Sequence, residues 1–491
     1  MGLGALTDVV GPQRVIGIPV GEVRALAYDS RAVSPGTLFF AVPGDHVDGH
    51  DFAFVAVEAG AIGLVVEREL PGISVPQLVV DRTRRALADA ADEWFGRPSE
   101  RLTVIGVTGT DGKSTVTALT AEMLWACRWH PGQIGTVYTG IFDDLELNLA
   151  RNTTPESLEL QELLARMVEA GNDSVVMEAT SHGLALERTR NCRFAVGVVT
   201  TVTSEHLEFH GTVENYRAAK ARLVEEAPIA VLNADDASYG FLKERARDQV
   251  ITYGIDGPAD LRAGSLEADA TGTSFHLESP RWHGDVRIGL PGRFNVSNAL
   301  AALGAIEALG LDVHHAAMAL ADTAGVPGRM ERVDAGQPFT VIVDYAHTTD
   351  SLRKVLEVLR PLSVGRLIAV IGSAGERDPT KRGPMGRAAA ELADLVVVTA
   401  EDPRLEDPRA INEAIADGAR AGGARDGETL WVVDDRREAI AHSIGMAREG
   451  DVILLAGKGH ERSIFYGTEK RPWDEAGAAR DALRDAGWSA P

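Results

Sequence analysis

Lys113 stands where a β-branched run meets a helix-like stretch, in Leu102-Thr-Val-Ile-Gly-Val-Thr-Gly-Thr-Asp-Gly-Lys-Ser-Thr115. Residues of these types in this order can hold a nucleoside triphosphate. Gly109 and Gly112 free backbone N–H groups to point at phosphate oxygens, and the helix that follows adds its positive N-terminal end. Lys113 supplies a point charge, and the Ser114 hydroxyl can reach a magnesium ion. The spacing is off the general pattern, which wants glycine six residues before the lysine. That position is Val107, with glycines at 106 and 109 instead. A glycine-rich loop alone is often only a turn, and it is the flanking strand-like and helix-like runs that favour phosphate.

Two further segments carry polar groups just past apolar runs. Val175-Val-Met-Glu178 delivers a carboxylate at a strand end, followed by Thr180, Ser181 and His182. Glu178 there could bind magnesium or could cap the next helix. Thr200-Thr-Val-Thr-Ser-Glu-His-Leu-Glu-Phe-His210 places His206 and His210 after another such run. Histidines in this setting serve either as ligands or as hydrogen-bonded structure.

The elements that must position these groups read as an α/β protein of three domains. A chain of 491 residues exceeds one hydrophobic core. Residues 1–100 alternate short apolar strands with turns, as in Gly36-Thr-Leu-Phe-Phe-Ala-Val-Pro-Gly44 and Ala61-Ile-Gly-Leu-Val-Val66, and have no phosphate loop of their own. Arg97-Pro-Ser-Glu-Arg101 is the expected linker. Residues 101–332 alternate strands such as Ser174–Glu178, 195–200 and Ile229–Asn233 with helical stretches, which predicts a mostly parallel sheet. The range 250–290 breaks that rhythm and is expected to form a small antiparallel patch. After a boundary near Gly328 to Gly336, residues 333–491 repeat apolar strands and helices in the manner of a doubly wound, Rossmann-like fold.

Composition narrows the function classes. The protein is 45% hydrophobic and 25% charged, with a net charge of −23, which argues against binding nucleic acid or an anionic membrane. Cys127 and Cys192 are too few for a disulfide framework or a zinc site. No run approaches the ~18 apolar residues that span a bilayer, and the first residues lack a basic, then apolar, leader. A cytoplasmic protein is expected.

Many ordered motifs then match one family. They are Tyr28-Asp-Ser-Arg31, Pro35-Gly-Thr-Leu-Phe-Phe-Ala41, Asp48-Gly-His50, Gly109-Thr-Asp-Gly-Lys-Ser114 and Asn152-Thr-Thr-Pro155. Further on come Met177-Glu-Ala-Thr-Ser-His182, Ser204-Glu-His-Leu-Glu208, Tyr216-Arg-Ala-Ala-Lys220, Asp344-Tyr-Ala-His-Thr348 and Ala456-Gly-Lys-Gly-His-Glu461. Over nearly its whole length the chain resembles the Mur ligases of peptidoglycan assembly. It is most similar to the branch that adds an amino acid to UDP-MurNAc-L-Ala-D-Glu.

The resemblance implies a UDP-binding first domain, a central ATP-binding domain and an amino-acid-binding third domain. It further implies ATP, two magnesium ions and a carbamylated Lys220 as cofactors. Gly109, Thr110, Asp111, Gly112, Lys113, Ser114 and Thr115 would hold phosphate, Asn298 adenine, Arg329 the γ-phosphate and Asp344 the ribose. Ser114, Glu178, His206 and Lys220 would serve magnesium, and Lys113, Glu178, His206 and Lys220 catalysis. Ser30, Asn152, Thr153, Thr154, Thr180 and Arg188 would contact the UDP-MurNAc-dipeptide. Arg377, Asp402, Arg404, Gly457 and Glu461 would form the amino-acid site. A monomer whose nucleotide lies between domains, with closure needed for catalysis, is expected. Without the resemblance Lys220 reads as a solvated helix residue.

Several positions depart from the commoner family pattern. Asp111 replaces an asparagine in the phosphate loop, and Glu205 and Glu208 replace aspartates beside the histidine. Where enzymes using meso-diaminopimelate carry Asp-Asn-Pro-Arg, this chain has Glu401-Asp-Pro-Arg404. Arg404 could pair with a carboxylate, whereas Asp402 adds an acid suited to a cationic amine, which ranks lysine or ornithine above diaminopimelate. A folate polyglutamate synthase shares the loop and domain order but not the first-domain motifs or Asn152-Thr-Thr-Pro155. A catalytically silent nucleotide-binding regulator draws its support from Asp111 and Glu205 alone.

Overall fold

The computed structural model describes residues 1–44, 47–141, 144–148, 152–203, 205–269, 271–323 and 325–488. The chain divides into two units, one of Met1–Arg262, Glu278–His283 and Ser297–Ala319, the other of Ala263–Leu277, Gly284–Val296 and Leu320–Pro491.

The first unit opens with a five-stranded sheet in the order Arg14–Ile16, Gln77–Val79, Ala61–Val66, Thr37–Phe40, Ala25–Ala27. All neighbours are parallel except the first pair. Helices Leu3–Val10 and Thr83–Trp94 bury Leu3, Leu6, Ala86 and Leu87 on one face, and Ala53–Glu58 covers the other with Ala53 and Ala56. The expected linker is a tight turn, Pro98–Glu100, with Pro98 and Ser99 buried. It leads straight into the strand Thr103–Thr108.

That strand is central in the second sheet of the unit. It lies between Ser174–Glu178 and Phe194–Val199, with Pro131–Ile134 beyond the first and Ile229–Asn233 then Gln249–Gly254 beyond the second. All these neighbours are parallel. Their registers pair Glu178 with Val107 and Val199 with Thr108, so three strands end together at one edge. Both faces are covered, and the strands therefore read as near-continuous apolar runs. One expectation changes: Gln249–Gly254, placed by sequence in an antiparallel patch, is a parallel member of this sheet. Its apolar residues are interrupted by exposed and half-buried ones, a pattern that carries no information about strand direction. The patch proper is the run of strands Leu261–Asp269, Gly272–Glu278 and His283–Ile288, adjacent in that order.

The second unit holds a six-stranded sheet in the order Glu331–Val333, Thr340–Asp344, Val452–Ala456, Leu367–Ile371, Leu395–Val398, Leu430–Val432. It is parallel apart from the first pair. The expected boundary at residue 333 thus falls inside the antiparallel edge strand. Successive residues go to opposite cores. Ile342, Ala369, Val396 and Leu454 meet helices Thr349–Leu362, Arg382–Leu392 and Pro408–Ala421, while Val341, Val343, Ile368, Val370 and Ile453 meet Arg436–Met446 and Glu475–Asp485. This is the doubly wound arrangement that the sequence predicts.

Beneath the sheet's carboxyl edge lies a fully buried ion pair, Arg436 to Glu475 at 2.6 Å. Trp473 Nε1 donates to the same carboxylate at 2.6 Å, and Arg436 also donates to the carbonyls of Ala400 and Ala456. Removing one partner of such a pair leaves an uncompensated charge, so Glu475→Ala should cost about 3–5 kcal/mol. Hydrogen exchange across 430–485 reports it, and replacing both partners by apolar residues should recover most of the loss. Among the described residues no helix is long and apolar enough to cross a membrane.

Candidate active site

The phosphate-type loop forms where predicted. Gly109 and Gly112 take φ of 151° and 87°, and a Cβ at Gly109 would fall on Thr200 Oγ1. The helix Lys113–Ala126 begins at once, with Ser114 and Thr115 buried in its first turn. Lys113 Nζ donates to the carbonyls of Gly109 at 3.0 Å and Thr110 at 2.8 Å. Thr200, at the end of a neighbouring strand, pins the loop by donating to the carbonyl of Asp111 at 2.6 Å. Thr110 donates its N–H to the Thr201 carbonyl, and its Oγ1 lies 2.9 Å from Tyr216 Oη. Asn298 reaches the same loop, since a Cβ at Gly112 would strike its Oδ1.

Lys220 comes from the helix Val213–Glu226 and is 1% exposed, so the reading of it as a solvated residue is overturned. Its Nζ donates to Gly109 O at 2.6 Å, the carbonyl that Lys113 also uses. Burial, and then Lys113 alongside, hold it well below the ordinary lysine value. The acids nearest to it in charge are Glu205 and Asp111, two of the departures noted in sequence.

Glu178 is buried at the end of its strand, and its carboxylate accepts from Thr136 N at 2.7 Å and Thr136 Oγ1 at 3.0 Å. It caps no helix with its side chain; Thr180 does that for Ser181–Ala185. Thr136 Oγ1 also meets Thr153 Oγ1 at 3.0 Å, and Thr154 Oγ1 donates to the Glu178 carbonyl at 2.8 Å and touches Thr180 Oγ1. Arg188 donates to the Thr154 carbonyl at 3.1 Å and pairs with Glu156 at 2.8 Å, which in turn pairs with Arg84 of the amino-terminal sheet module. The predicted substrate residues 153, 154, 180 and 188 are thus one connected group with Glu178. Asn152 is exposed beside them, and Ser30 opens the turn Ser30–Ala32 in the amino-terminal module.

His206 adopts φ of 55° and starts the short helix Leu207–His210. Its ring packs on His182 at 4.7 Å, and Glu205 and Glu208 flank it at 3.6 and 3.4 Å. Both departures therefore keep a carboxylate at the imidazole. Ser204 lies outside the described residues. Burial, with His206 and His210 alongside, pushes His182 down to about 4. Its native form is neutral while the unfolded chain takes a proton near 6.5, so this histidine withdraws stability as pH falls from about 6.5 to 4. Denaturation midpoints of His182→Asn should decline less across that window than those of the wild type.

In the second unit Asp344 sits at a strand end. Its two carboxylate oxygens accept from Met330 N and Ala346 N, both at 2.8 Å. Burial raises its pKa against the pull of Arg329. The Arg329 guanidinium lies over the Tyr345 ring at 4.6 Å, and its buried Nε has no hydrogen-bond partner among the described residues. Tyr345 Oη donates to Glu461 at 3.4 Å. Gly457, with φ of 105°, donates its N–H to the Asp344 carbonyl at 3.1 Å. The predicted ribose residue Asp344 and the predicted amino-acid residues Gly457 and Glu461 are therefore neighbours within this unit. Arg404 has φ of 54° and a buried Nε with no partner among the described residues, while Arg377 is exposed.

Asp402 differs from its reading as a bare acid. Its Oδ1 accepts from Lys458 Nζ at 3.1 Å and Phe465 N at 3.0 Å, and Lys458 also contacts Glu461. Thr136, Thr200, Tyr216 and Lys458 were not singled out by sequence reasoning. Thr200, Tyr216 and Lys458 each stood inside a quoted segment, 200–210, 216–220 and 456–461, whereas Thr136 had no such signal.

Among the described residues no group of three or more His, Cys, Asp or Glu is arranged to hold a metal. One oriented carboxylate with a hydroxyl beside a phosphate loop does fit magnesium, which binds through one or two carboxylates together with phosphate oxygens. Ser114 and Glu178 are that donor set, with His206 and Lys220 as the further candidates.

Three family descriptions match the chain. "Mur ligase family, catalytic domain" covers residues 22–95, "Mur ligase middle domain" 107–306, and "Mur ligase, glutamate ligase domain" 328–459. A UDP-N-acetylmuramyl-tripeptide synthetase of Roseiflexus sp. (strain RS-1) is 46% identical over 486 residues, 95% of this chain and 96% of the relative. A UDP-N-acetylmuramoyl-L-alanyl-D-glutamate–2,6-diaminopimelate ligase of Geobacillus thermodenitrificans (strain NG80-2) is 44% identical over 94% of this chain and 95% of its own length. A solved structure of such a diaminopimelate ligase superposes with a TM-score of 0.72 at 30% identity, covering 99% of both chains. With matched domains along most of its length and relatives above 40% identity across nearly all of it, the chain belongs to the Mur ligase family.

Proposed function

We propose that the protein is an ATP-dependent ligase that joins a diamino acid, meso-diaminopimelate, to the D-glutamyl residue of UDP-MurNAc-L-Ala-D-Glu. The observation that carries this reading is the loop Gly109–Lys113 with Glu178 oriented at the end of the adjoining strand. A carboxylate is a poor electrophile. The D-glutamyl side-chain carboxylate attacks the γ-phosphorus of ATP, the bond to ADP breaks, and an acyl phosphate forms. The amine of the diamino acid attacks that carbonyl, phosphate leaves with the C–O electron pair, and the amine sheds a proton.

Lys113 and the loop N–H groups hold the phosphates in line for the first step. Thr153, Thr154, Thr180 and Arg188 orient the dipeptide, and Arg329 and Asp344 position the nucleotide. Ser114, Glu178, His206 and a carbamylated Lys220 would hold magnesium, which when bound supplies charge stabilisation to the transferring phosphoryl group.

Diaminopimelate is favoured over lysine or ornithine by two features. The Asp402 Oδ1 is already shared by Lys458 and Phe465 N, and the buried Arg404 Nε has no hydrogen-bond partner among the described residues, which leaves the guanidinium's pairing to a ligand carboxylate. Relatives bearing the diaminopimelate ligase name point the same way. The two cysteines are free, which suits a reducing cytoplasm.

The test is phosphate release and product mass with ATP, magnesium, UDP-MurNAc-L-Ala-D-Glu and, in turn, meso-diaminopimelate, L-lysine and L-ornithine. Turnover with diaminopimelate is expected. Efficient use of lysine or ornithine alone would reverse the choice of amino acid, and no phosphate release with any of them would leave a nucleotide-binding regulator.

A further inference from the structure

Lys458 is a fully buried lysine that no reading above employs in binding or catalysis. A buried ammonium is costly unless it is paired, and this one is paired twice. Its Nζ reaches Asp402 Oδ1 at 3.1 Å and also contacts a Glu461 carboxylate oxygen. The same Asp402 oxygen is fixed from the other side by Phe465 N at 3.0 Å. The backbone that presents Lys458 is equally constrained. Gly457 and Gly459 on either side take φ of 105° and 49°, and a Cβ at Gly459 would come 2.8 Å from both the Gly328 carbonyl and Tyr345 Cβ. The turn therefore has one geometry, and the lysine one direction.

Its two partners are the two acids of the amino-acid site. Arg404 follows Asp402 by two residues, and Lys381, Lys458 and Arg436 offset the neighbouring acid Glu401. Glu401, buried beside Gly457, is shifted by burial toward its neutral acid. With Lys458 in place, one of the two carboxylates is offset and both are held apart at fixed positions. Without it, among the described residues, the two acids would keep only the neutral donors Phe465 N and Tyr345 Oη, with no cation between them.

We propose that Lys458 is a specificity-determining positioning residue. By tethering Asp402 and Glu461 it makes the site accept an amino acid whose far end carries both an ammonium and a carboxylate, and reject one whose far end is an ammonium alone. A lone cation meets Lys458 and Arg404 against two carboxylates, whereas a zwitterionic end brings its own anion for Arg404. This rests on the ligase reading above.

The experiment compares kcat/KM for meso-diaminopimelate and L-lysine in the full-length wild type, Lys458→Met, Asp402→Asn and the double variant, with ATP and UDP-MurNAc-dipeptide saturating. Lys458→Met should raise the lysine-to-diaminopimelate ratio about tenfold or more, through KM for the amino acid, with KM for ATP within about twofold of wild type. Asp402→Asn should move the ratio the opposite way, and the double variant should return toward the wild-type ratio because charge and partner leave together. A ratio unchanged in the single variants, both substrates falling in parallel, would overturn the inference alone. If Lys458→Met does not fold, Asp402→Asn decides by the same ratio. Wild-type turnover with neither amino acid would instead sink the ligase reading, and this inference with it.

Discussion

Lys113→Met should lower kcat about a thousandfold, the equivalent of about 4 kcal/mol of transition-state stabilisation. The side chain is held inside the loop by the Gly109 and Thr110 carbonyls, at 3.0 and 2.8 Å, so two of its three N–H groups are committed to fixing its place. The third remains for a phosphate oxygen. Charge on the phosphoryl group spreads over its equatorial oxygens as the bond to ADP loosens, and a cation already in position acts there with little reorganisation. Methionine keeps the length and the apolar stem but removes the charge. Arginine keeps the charge, yet its planar fork cannot occupy the space between two loop carbonyls, and Lys113→Arg should recover only a small part of the rate. Phosphate release at saturating substrates gives kcat, and calorimetric titration with a non-hydrolysable ATP analogue separates binding from chemistry. Turnover of Lys113→Met within about tenfold of wild type would remove the loop from the mechanism.

The loop was legible because its signals are local. A β-branched run followed by glycines and a helix-forming stretch has few other solutions, and the strand Thr103–Thr108 and helix Lys113–Ala126 stand where they were expected. The doubly wound second unit was legible for a related reason: strands buried on both faces must be apolar at nearly every position, so Leu367–Ile371 and Val452–Ala456 announce themselves. Glu178 was placed at its strand end, but Thr136, which orients its carboxylate, comes 42 residues earlier with no motif to mark it. Lys458 and Asp402 lie 56 positions apart. A lysine in sequence reads as a solvated residue, and only the fold turns it inward against two acids. The direction of Gln249–Gly254 was missed because an interrupted apolar pattern is the same in parallel and antiparallel strands.

Lys220 shows the same limit at the point of greatest consequence, and its loss should lower turnover about a hundredfold to a thousandfold in Lys220→Met. The side chain ends 2.6 Å from the Gly109 carbonyl, within the phosphate loop rather than in solvent. Burial and the Lys113 ammonium hold it well below the ordinary lysine value, which favours the neutral amine, the form that attacks carbon dioxide. Carbamylation would form a new N–C bond from the neutral amine with loss of one proton, the ammonium having shed another beforehand, and would leave an anion on a long stem. That inversion of charge matters at this site. Two ammonium groups sharing the Gly109 carbonyl repel one another, whereas a carbamate offsets Lys113 and offers oxygens to a divalent cation. Three measurements follow from the same chemistry. Protein prepared free of carbon dioxide should be less active and recover with bicarbonate, wild type labelled with carbon-13 dioxide should show a carbamate carbon resonance, and Lys220→Met should show neither. Full activity in carbon-dioxide-free wild type, or near-normal turnover of Lys220→Met, would leave Lys220 as a buried strut under the loop and assign the second cation site elsewhere.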